Sequence, residues 1–174
     1  MAIKGHLNPR NVVPFLKEIV DYVGGQWNGV EQKLIEGRQL RYDLAFRYAS
    51  KAFTVDWDGP DHYQNDPKLI KDEEKDELAR KQGFRVVRIP YWLQLDSVML
   101  KFYSQIDVVI DRKPCRFTDF QKRKRIEVFP HGFITTKVRT ASFCPKGIER
   151  FKRELDSLPV VVREEVMRSL DETL

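Results

Sequence analysis

Two stretches of alternating apolar and polar residues stand close together in the first half of the chain. In residues 40–46 and again in residues 52–58, every second side chain is large and apolar. A period of two is typical of β-strands that are buried on one face. Because residues 47–51 form only a short connection, the pattern predicts a β-hairpin.

The apolar positions also indicate the register of this hairpin. Residues paired across a hairpin share a face of the sheet, and a slip of one residue would mix the apolar and polar faces. Setting Phe46 opposite Phe53 keeps the faces separate and brings Asp43 opposite Asp56. Asp58, two residues further on, lies on the same face. We therefore expect three carboxylates on one polar patch.

Three clustered carboxylates require a counter-charge, because like charges placed opposite each other destabilise a hairpin. Mg²⁺ and Mn²⁺ bind oxygen ligands of this kind. Pairing with Arg38 and Arg41, or exposure of the acids to solvent, are the alternatives. The residues favour the metal.

The remaining pattern predicts helices around the hairpin. Asp66 followed by Pro67 is typical of a helix start, and a highly charged helix continues to Gly83. The apolar strand at residues 84–89 should lie parallel to residues 52–58, since a helix connects them. Further helices are predicted over residues 11–23 and 97–110 and on both sides of Pro159. The fold class is therefore α/β, with a mixed central sheet flanked by helices.

Positive charge is concentrated in one part of the chain. Residues 112–153 contain 13 Lys or Arg against 3 Asp or Glu, while residues 1–111 are close to balance. Such a band is typical of a nucleic-acid-binding surface, although a solvated basic surface has the same composition. We divide the chain into a core over residues 1–111 and a basic C-terminal extension over residues 112–174. Its candidate phosphate contacts are Lys122, Arg123, Lys124, Arg125, Arg139, Lys146, Arg150 and Arg153.

The composition limits the class of protein. The chain has 174 residues, of which 41% are hydrophobic and 33% charged, as expected of a globular domain. No apolar run approaches the ~20 residues of a membrane helix, and the N-terminus lacks a secretory signal. With only Cys115 and Cys144, we expect a reduced, cytoplasmic protein. Zinc binding by these cysteines and His131 is disfavoured, because the spacings match no tight ligand pair.

Three motifs in order along the chain resemble the PD-(D/E)XK nuclease superfamily. They are RYDLAF at residues 41–46, AFTVDWDGPDHY at residues 52–63 and DPKLIKDEEKDELARKQGFRVVRI at residues 66–89. The branch they are similar to is that of the very-short-patch-repair endonucleases. The resemblance implies a restriction-endonuclease-like fold and a Mg²⁺- or Mn²⁺-dependent endonuclease that acts on double-stranded DNA.

The resemblance also implies roles for individual residues. Asp43 and Asp56 match the metal-binding acids, which would hold one or two ions. Asp58 stands where the superfamily most often has a lysine, so water activation by a lysine at that position is in doubt. His62 matches the catalytic histidine of the branch and, with an ordinary pKa near 6.5, would serve as the base instead.

Other catalytic positions follow from the same resemblance. Asp72 matches an acid on the second helix, and a further acid is expected from the N-terminal region, either Glu18 or Glu31. Arg38 and Arg41 lie close enough in sequence to balance charge on the phosphate.

Several functions remain open within this class. A sequence-specific restriction enzyme is preferred over a nicking, mismatch-repair or homing endonuclease and over a nuclease of structured RNA. A non-catalytic DNA-binding module on the same fold is the alternative from another class. Double-strand cleavage by a chain with one active site usually requires two subunits, which leaves a homodimer open.

Overall fold

The computed structural model of the chain describes residues 3–4, 20, 25–27, 42–93, 97–107, 110–111, 117–118, 125–126 and 140–171. The helix predicted over residues 11–23 lies outside these ranges except for Val20, which is helical and buried. None of the described helices has the length and apolar character that a membrane span requires.

The described elements are eight strands, five α-helices and one 3₁₀ turn. The strands are β1 (Ile3–Lys4), β2 (Gln26–Trp27), β3 (Leu44–Tyr48), β4 (Lys51–Asp58), β5 (Phe84–Pro90), β6 (Ile110–Asp111), β7 (Phe117–Thr118) and β8 (Arg125–Ile126). The α-helices are α1 (Asp61–Gln64), α2 (Asp66–Lys81), α3 (Ser97–Ser104), α4 (Pro145–Ser157) and α5 (Val160–Asp171), and a 3₁₀ turn covers Thr140–Ser142.

The predicted hairpin is the centre of the main sheet. β3 and β4 are antiparallel with Phe46 opposite Phe53, which confirms the register read from the apolar positions. The connection is shorter than expected, because Tyr48 still pairs with Lys51. The two turn residues, Ala49 and Ser50, have φ of 47° and 63°, the left-handed conformation that two-residue hairpin turns need.

The crossover on the other side of β4 is also confirmed. β5 lies parallel to β4, which gives a mixed sheet in the order β2-β3-β4-β5. The connecting helix α2 starts with a different cap from the predicted one. The side chain of Asn65, not that of Asp66, accepts a hydrogen bond from the backbone N–H of Lys68 at 3.2 Å.

The helix predicted over residues 97–110 is shorter than the periodicity indicated. It ends at Ser104, and Gln105 follows with φ of 64°. Ile110 then lies in β6, which pairs in parallel with β1. The apolar spacing in this helix would place Met99 and Phe102 on one buried face, yet Met99 is buried and Phe102 is 42% exposed.

The two C-terminal helices pack into the hydrophobic core of the sheet. They flank Pro159 as predicted, and Phe151 of α4 contacts Trp92 edge to face at a centroid distance of 5.0 Å. Phe143 stacks on Tyr63 of α1 at 5.0 Å. Trp92 is fully buried and belongs to this core. Although their charge suggested a separate extension, residues 140–171 therefore share a core with β3–β5.

The contact between α1 and α4 is close enough to require glycine. A Cβ atom on Gly147 would lie 1.8 Å from the carbonyl oxygen of Tyr63. That same oxygen accepts a hydrogen bond from the backbone N–H of Cys144 at 3.0 Å. The start of α4 is thus held directly against the backbone of α1.

Substitution of Gly147 tests this contact. Alanine normally stabilises a helix relative to glycine by about 1 kcal/mol, yet Gly147→Ala should lower the free energy of unfolding by about 1–3 kcal/mol through overpacking. Gly59→Ala is the control, since a Cβ there meets nothing within 4 Å. Urea denaturation measures both, and a Gly147→Ala protein as stable as the Gly59→Ala protein would refute the close approach.

Candidate active site

The predicted acids meet where the end of β4 lies against α1 and α2. Asp56 and Asp58 come from β4, His62 from α1 and Asp72 from α2. Asp58 is fully buried, and Asp56 and Asp72 are nearly so. Hydrogen bonds and ion pairs join these side chains into one network.

Asp43 lies beside Asp56, as the hairpin register predicts. The backbone N–H of Asp43 donates to Oδ1 of Asp56 at 3.1 Å, and the backbone N–H of Trp57 donates to Oδ2 of Asp43 at 2.8 Å. Asp43 itself precedes β3, so it is not part of the ladder. Each of the two carboxylates thus accepts a hydrogen bond from a backbone N–H on the other side of the hairpin.

Lys75 on α2 supplies an ammonium group to Asp56. Its Nζ forms an ion pair with Oδ2 of Asp56 and lies 3.9 Å from the centroid of the Tyr42 ring. We did not predict this lysine from the sequence. The buried residues of α2 recur at helical spacing and include two acids, which indicates a charged face turned towards the sheet. They are Leu69, Asp72, Asp76 and Ala79. Lys75 stands next to that stripe.

His62 faces two carboxylates with the same ring nitrogen. Its Nδ1 lies 2.5 Å from Oδ2 of Asp72 and 3.3 Å from Oδ1 of Asp58. One ligand atom from each of the three residues lies within 4.8 Å of the others, so Asp58, His62 and Asp72 could hold a metal ion. This set differs from the predicted pair, Asp43 and Asp56, which stays a prediction.

Arg88 of β5 is the first of two buried arginines in the network. It is the parallel-strand neighbour of Asp56. Its Nε and NH2 each lie 2.8 Å from an oxygen of Asp76, and its NH1 lies 2.8 Å and 3.1 Å from the two oxygens of Asp58. Planar guanidinium groups suit such forked pairing. Among the described residues, Arg88 thus supplies a counter-charge to these acids, and pairing with Arg38 and Arg41 stays a prediction.

Arg150 of α4 is the second buried arginine of the network, and its position differs from the predicted one. The sequence placed it among the DNA-phosphate contacts, but its side chain is only 6% exposed. Its NH2 forms an ion pair with Asp58, and its Nε donates to Oε1 of Glu154 at 2.7 Å. A guanidinium with these partners faces the interior, so the charge count of the basic band could not reveal its position.

The acids of the network outnumber the bases. Among the described residues, the lysine and arginines of the network are Lys75, Arg80, Arg88 and Arg150. The acids linked to them or to one another are Asp43, Asp56, Asp58, Asp72, Asp76 and Glu154. With six carboxylates against four such cations, the site keeps an excess of negative charge when its acids are ionised. Such an excess attracts a divalent cation.

Burial and charge act in opposite directions on these acids. Burial raises the pKa of Asp56, although Lys75 and Arg88 oppose the rise. Burial likewise raises the pKa of Glu154 against the effect of Arg150. For Asp72, burial also acts upward, but the hydrogen bond with His62 and the charge of Arg88 lower the pKa overall. Asp72 is therefore a carboxylate acceptor at neutral pH.

The other predicted site residues are spread over the chain. Lys146 and Arg153 are exposed on α4, as a surface contact requires, and Arg125 lies in β8. Cys144 is free and belongs to no zinc cluster among the described residues. The remaining predictions concern residues outside the described ranges: Glu18, Glu31, Arg38, Arg41, Cys115, Lys122, Arg123, Lys124, His131 and Arg139.

Comparison with known proteins identified no relative of this chain. No family model matches the chain, and no curated protein or solved structure matches it. Function must therefore be argued from the geometry of the network.

Two arginines that both reach Asp76 test the importance of the buried network. Arg88→Met leaves Asp58 and Asp76 with fewer partners and should cost about 3–5 kcal/mol of unfolding free energy. Arg80, 62% exposed and 3.8 Å from Asp76, is the matched control. Arg80→Met should cost less than about 1 kcal/mol, as surface pairs do. Equal losses in chemical denaturation would show that the network is not the stabilising feature.

Proposed function

We propose that the protein is a divalent-metal-dependent endonuclease that hydrolyses phosphodiester bonds in double-stranded DNA. The observation that carries the proposal is the contact of His62 with Asp72 inside a cluster of carboxylates that has excess negative charge. The motif resemblance to the PD-(D/E)XK superfamily points to the same reaction.

His62 has the arrangement of a general base. With a proton on Nδ1 it donates to the Asp72 carboxylate, which leaves the lone pair of Nε2 on the opposite side of the ring. The side chain is 16% exposed, so the ring is partly accessible to water. A neutral imidazole held in one tautomer can accept a proton from water near neutral pH.

The donor set of the site fits Mg²⁺ or Mn²⁺. Carboxylate oxygens suit both ions. Because Nδ1 of His62 is engaged with Asp72 in the base role, this proposal assigns metal binding to carboxylates: those of Asp43 and Asp56, as the sequence motifs imply, and those of Asp58 and Asp72 in the cluster. A divalent ion, when bound, polarises a phosphate and lowers the pKa of a water molecule.

Lys75 supplies a positive charge beside the proposed metal ligands. No lysine stands at the position of Asp58, but Lys75 reaches Asp56 from α2. In this role it would hold the Asp56 carboxylate and balance negative charge on the phosphate.

The outer surface of α4 supports DNA as the substrate. Lys146, Lys152 and Arg153 are exposed there, within the basic band over residues 112–153. Such contacts hold the phosphate backbone without reading sequence. Cleavage at a specific site, as in a restriction enzyme, is our first choice, and nicking, mismatch-repair or homing activity is the alternative. A double-strand cut would call for a homodimer.

One observation favours a second candidate, a non-catalytic DNA-binding module. Oxygens of Asp56 and Asp58 are already bound by Lys75, Arg88 and Arg150. A network neutralised in this way can serve stability alone, without a metal or a reaction.

DNA cleavage separates these candidates. With Mg²⁺ the wild-type protein should cut plasmid or genomic DNA, and a chelator should stop it. Asp56→Ala and His62→Ala should each lower the rate at least about 10²-fold, while DNA binding in Ca²⁺ persists. Asp107→Ala removes an exposed acid outside the network and is the control.

The products identify the activity. Discrete genomic fragments indicate restriction, and open circles indicate nicking. DNA that is bound but stays intact with both Mg²⁺ and Mn²⁺ would refute the enzyme and support the binding module.

A further inference from the structure

Arg150 contacts residues from each element that meets at the site. Its guanidinium pairs with Asp58 at the end of β4, and its NH1 lies 3.7 Å from Oδ2 of Asp72 on α2. The same NH1 donates to the backbone carbonyl of His62 at 3.4 Å. One side chain therefore touches all three members of the cluster that could hold a metal.

Arg150 is itself held from the other side. Oε1 of Glu154, one turn later on α4, accepts from its Nε at 2.7 Å. Oε2 of Glu154 accepts from the hydroxyl of Tyr63 at 2.6 Å, and the guanidinium lies 4.9 Å from the centroid of the Tyr63 ring. These contacts fix the orientation of the guanidinium fork.

A cavity next to the Arg150 guanidinium shows what its ion pairs contribute to the contact between α2 and α4. A cavity of about 290 Å³ lies between α2 and α4, and its lining includes Asp72, Arg88, Arg150 and Glu154. Apolar packing is therefore interrupted at this point, and the ion pairs of Arg150 bridge the two helices. In the part of the chain that the structure describes, Arg150 is the residue of the C-terminal helices that contacts Asp58, His62 and Asp72.

We propose that Arg150 is a positioning residue, through which the C-terminal helix pair holds His62 and its two carboxylates in their reactive arrangement. This inference rests on the proposed nuclease function. Arg150 acts through these residues and not on DNA, since its side chain is 6% exposed. The C-terminal helices are then part of the catalytic unit as well as a DNA-binding surface.

Steady-state cleavage kinetics of Arg150→Lys test the proposal. Lysine keeps the positive charge but not the fork, so it cannot reach Asp58, Asp72 and Glu154 together. We expect kcat to fall by about 10–100-fold, because small misplacements of catalytic groups are costly, while KM for DNA changes less than about twofold. Arg168→Met, which removes an exposed arginine of α5, should leave both parameters unchanged.

A second variant keeps the test decisive if Arg150→Lys does not fold. Glu154→Gln keeps the shape of the side chain but weakens its ion pair with Arg150. We expect kcat to fall again, with KM unchanged. Unchanged kcat in the folded variants, or a raised KM with unchanged kcat as for a DNA-gripping arginine, would overturn the positioning role while leaving the nuclease function intact. Absence of cleavage by the wild type would instead refute the nuclease function, and the positioning role with it.

Discussion

Burial of the Asp58 carboxylate is the constraint on which the site depends. An ionised acid removed from water is tolerated only with close counter-charges and hydrogen bonds. Asp58 finds them in Arg88 of β5 and Arg150 of α4, with His62 at 3.3 Å. The ion pairs of this one carboxylate therefore bring together Arg88 and Arg150, which are 62 residues apart in the chain.

The ion pairs of Arg88 stabilise the site and also leave it with an excess of negative charge. Arg88 satisfies Asp76 as well as Asp58, so α2 is tied to the sheet by charge as well as by the buried side chains of Leu69 and Ala79. Because that tie fixes α2, Asp72 is presented to His62 at hydrogen-bonding distance. Yet the four lysine and arginine side chains of the network do not neutralise its six acids. A bound divalent ion would balance the remaining negative charge. The buried network would then serve the proposed reaction as well as the stability of the fold.

Local patterns predicted the parts of the fold that obey a local rule. The alternation in residues 40–46 and 52–58 was sufficient for the hairpin register, because a slip would exchange the faces, and the charged helix before β5 implied a parallel strand. The end of α3 was mispredicted because the apolar spacing continues past Ser104, where Gln105 adopts a left-handed conformation. Propensity and periodicity do not report such a break.

The site was predictable only where its residues belong to one motif. Asp56, Asp58 and His62 are close in sequence, and the hairpin register brought Asp43 to them. Arg150 could not be found in this way, since its charge is indistinguishable in sequence from that of the exposed Arg153 nearby. Only the packing of α4, through Gly147 against α1 and through Phe151 against Trp92, turns one of these arginines inward.

Binding of Mn²⁺, followed by electron paramagnetic resonance of the free ion, tests the central claim most directly. The account predicts saturable binding of one or two ions by the wild type, weakened at least about tenfold by Asp56→Asn or Asp72→Asn. His62→Ala should bind the ion nearly as well as the wild type, because the carboxylates hold it. No saturable binding, or equal affinity in the wild type and both asparagine variants, would contradict the claim that this carboxylate cluster is a metal site.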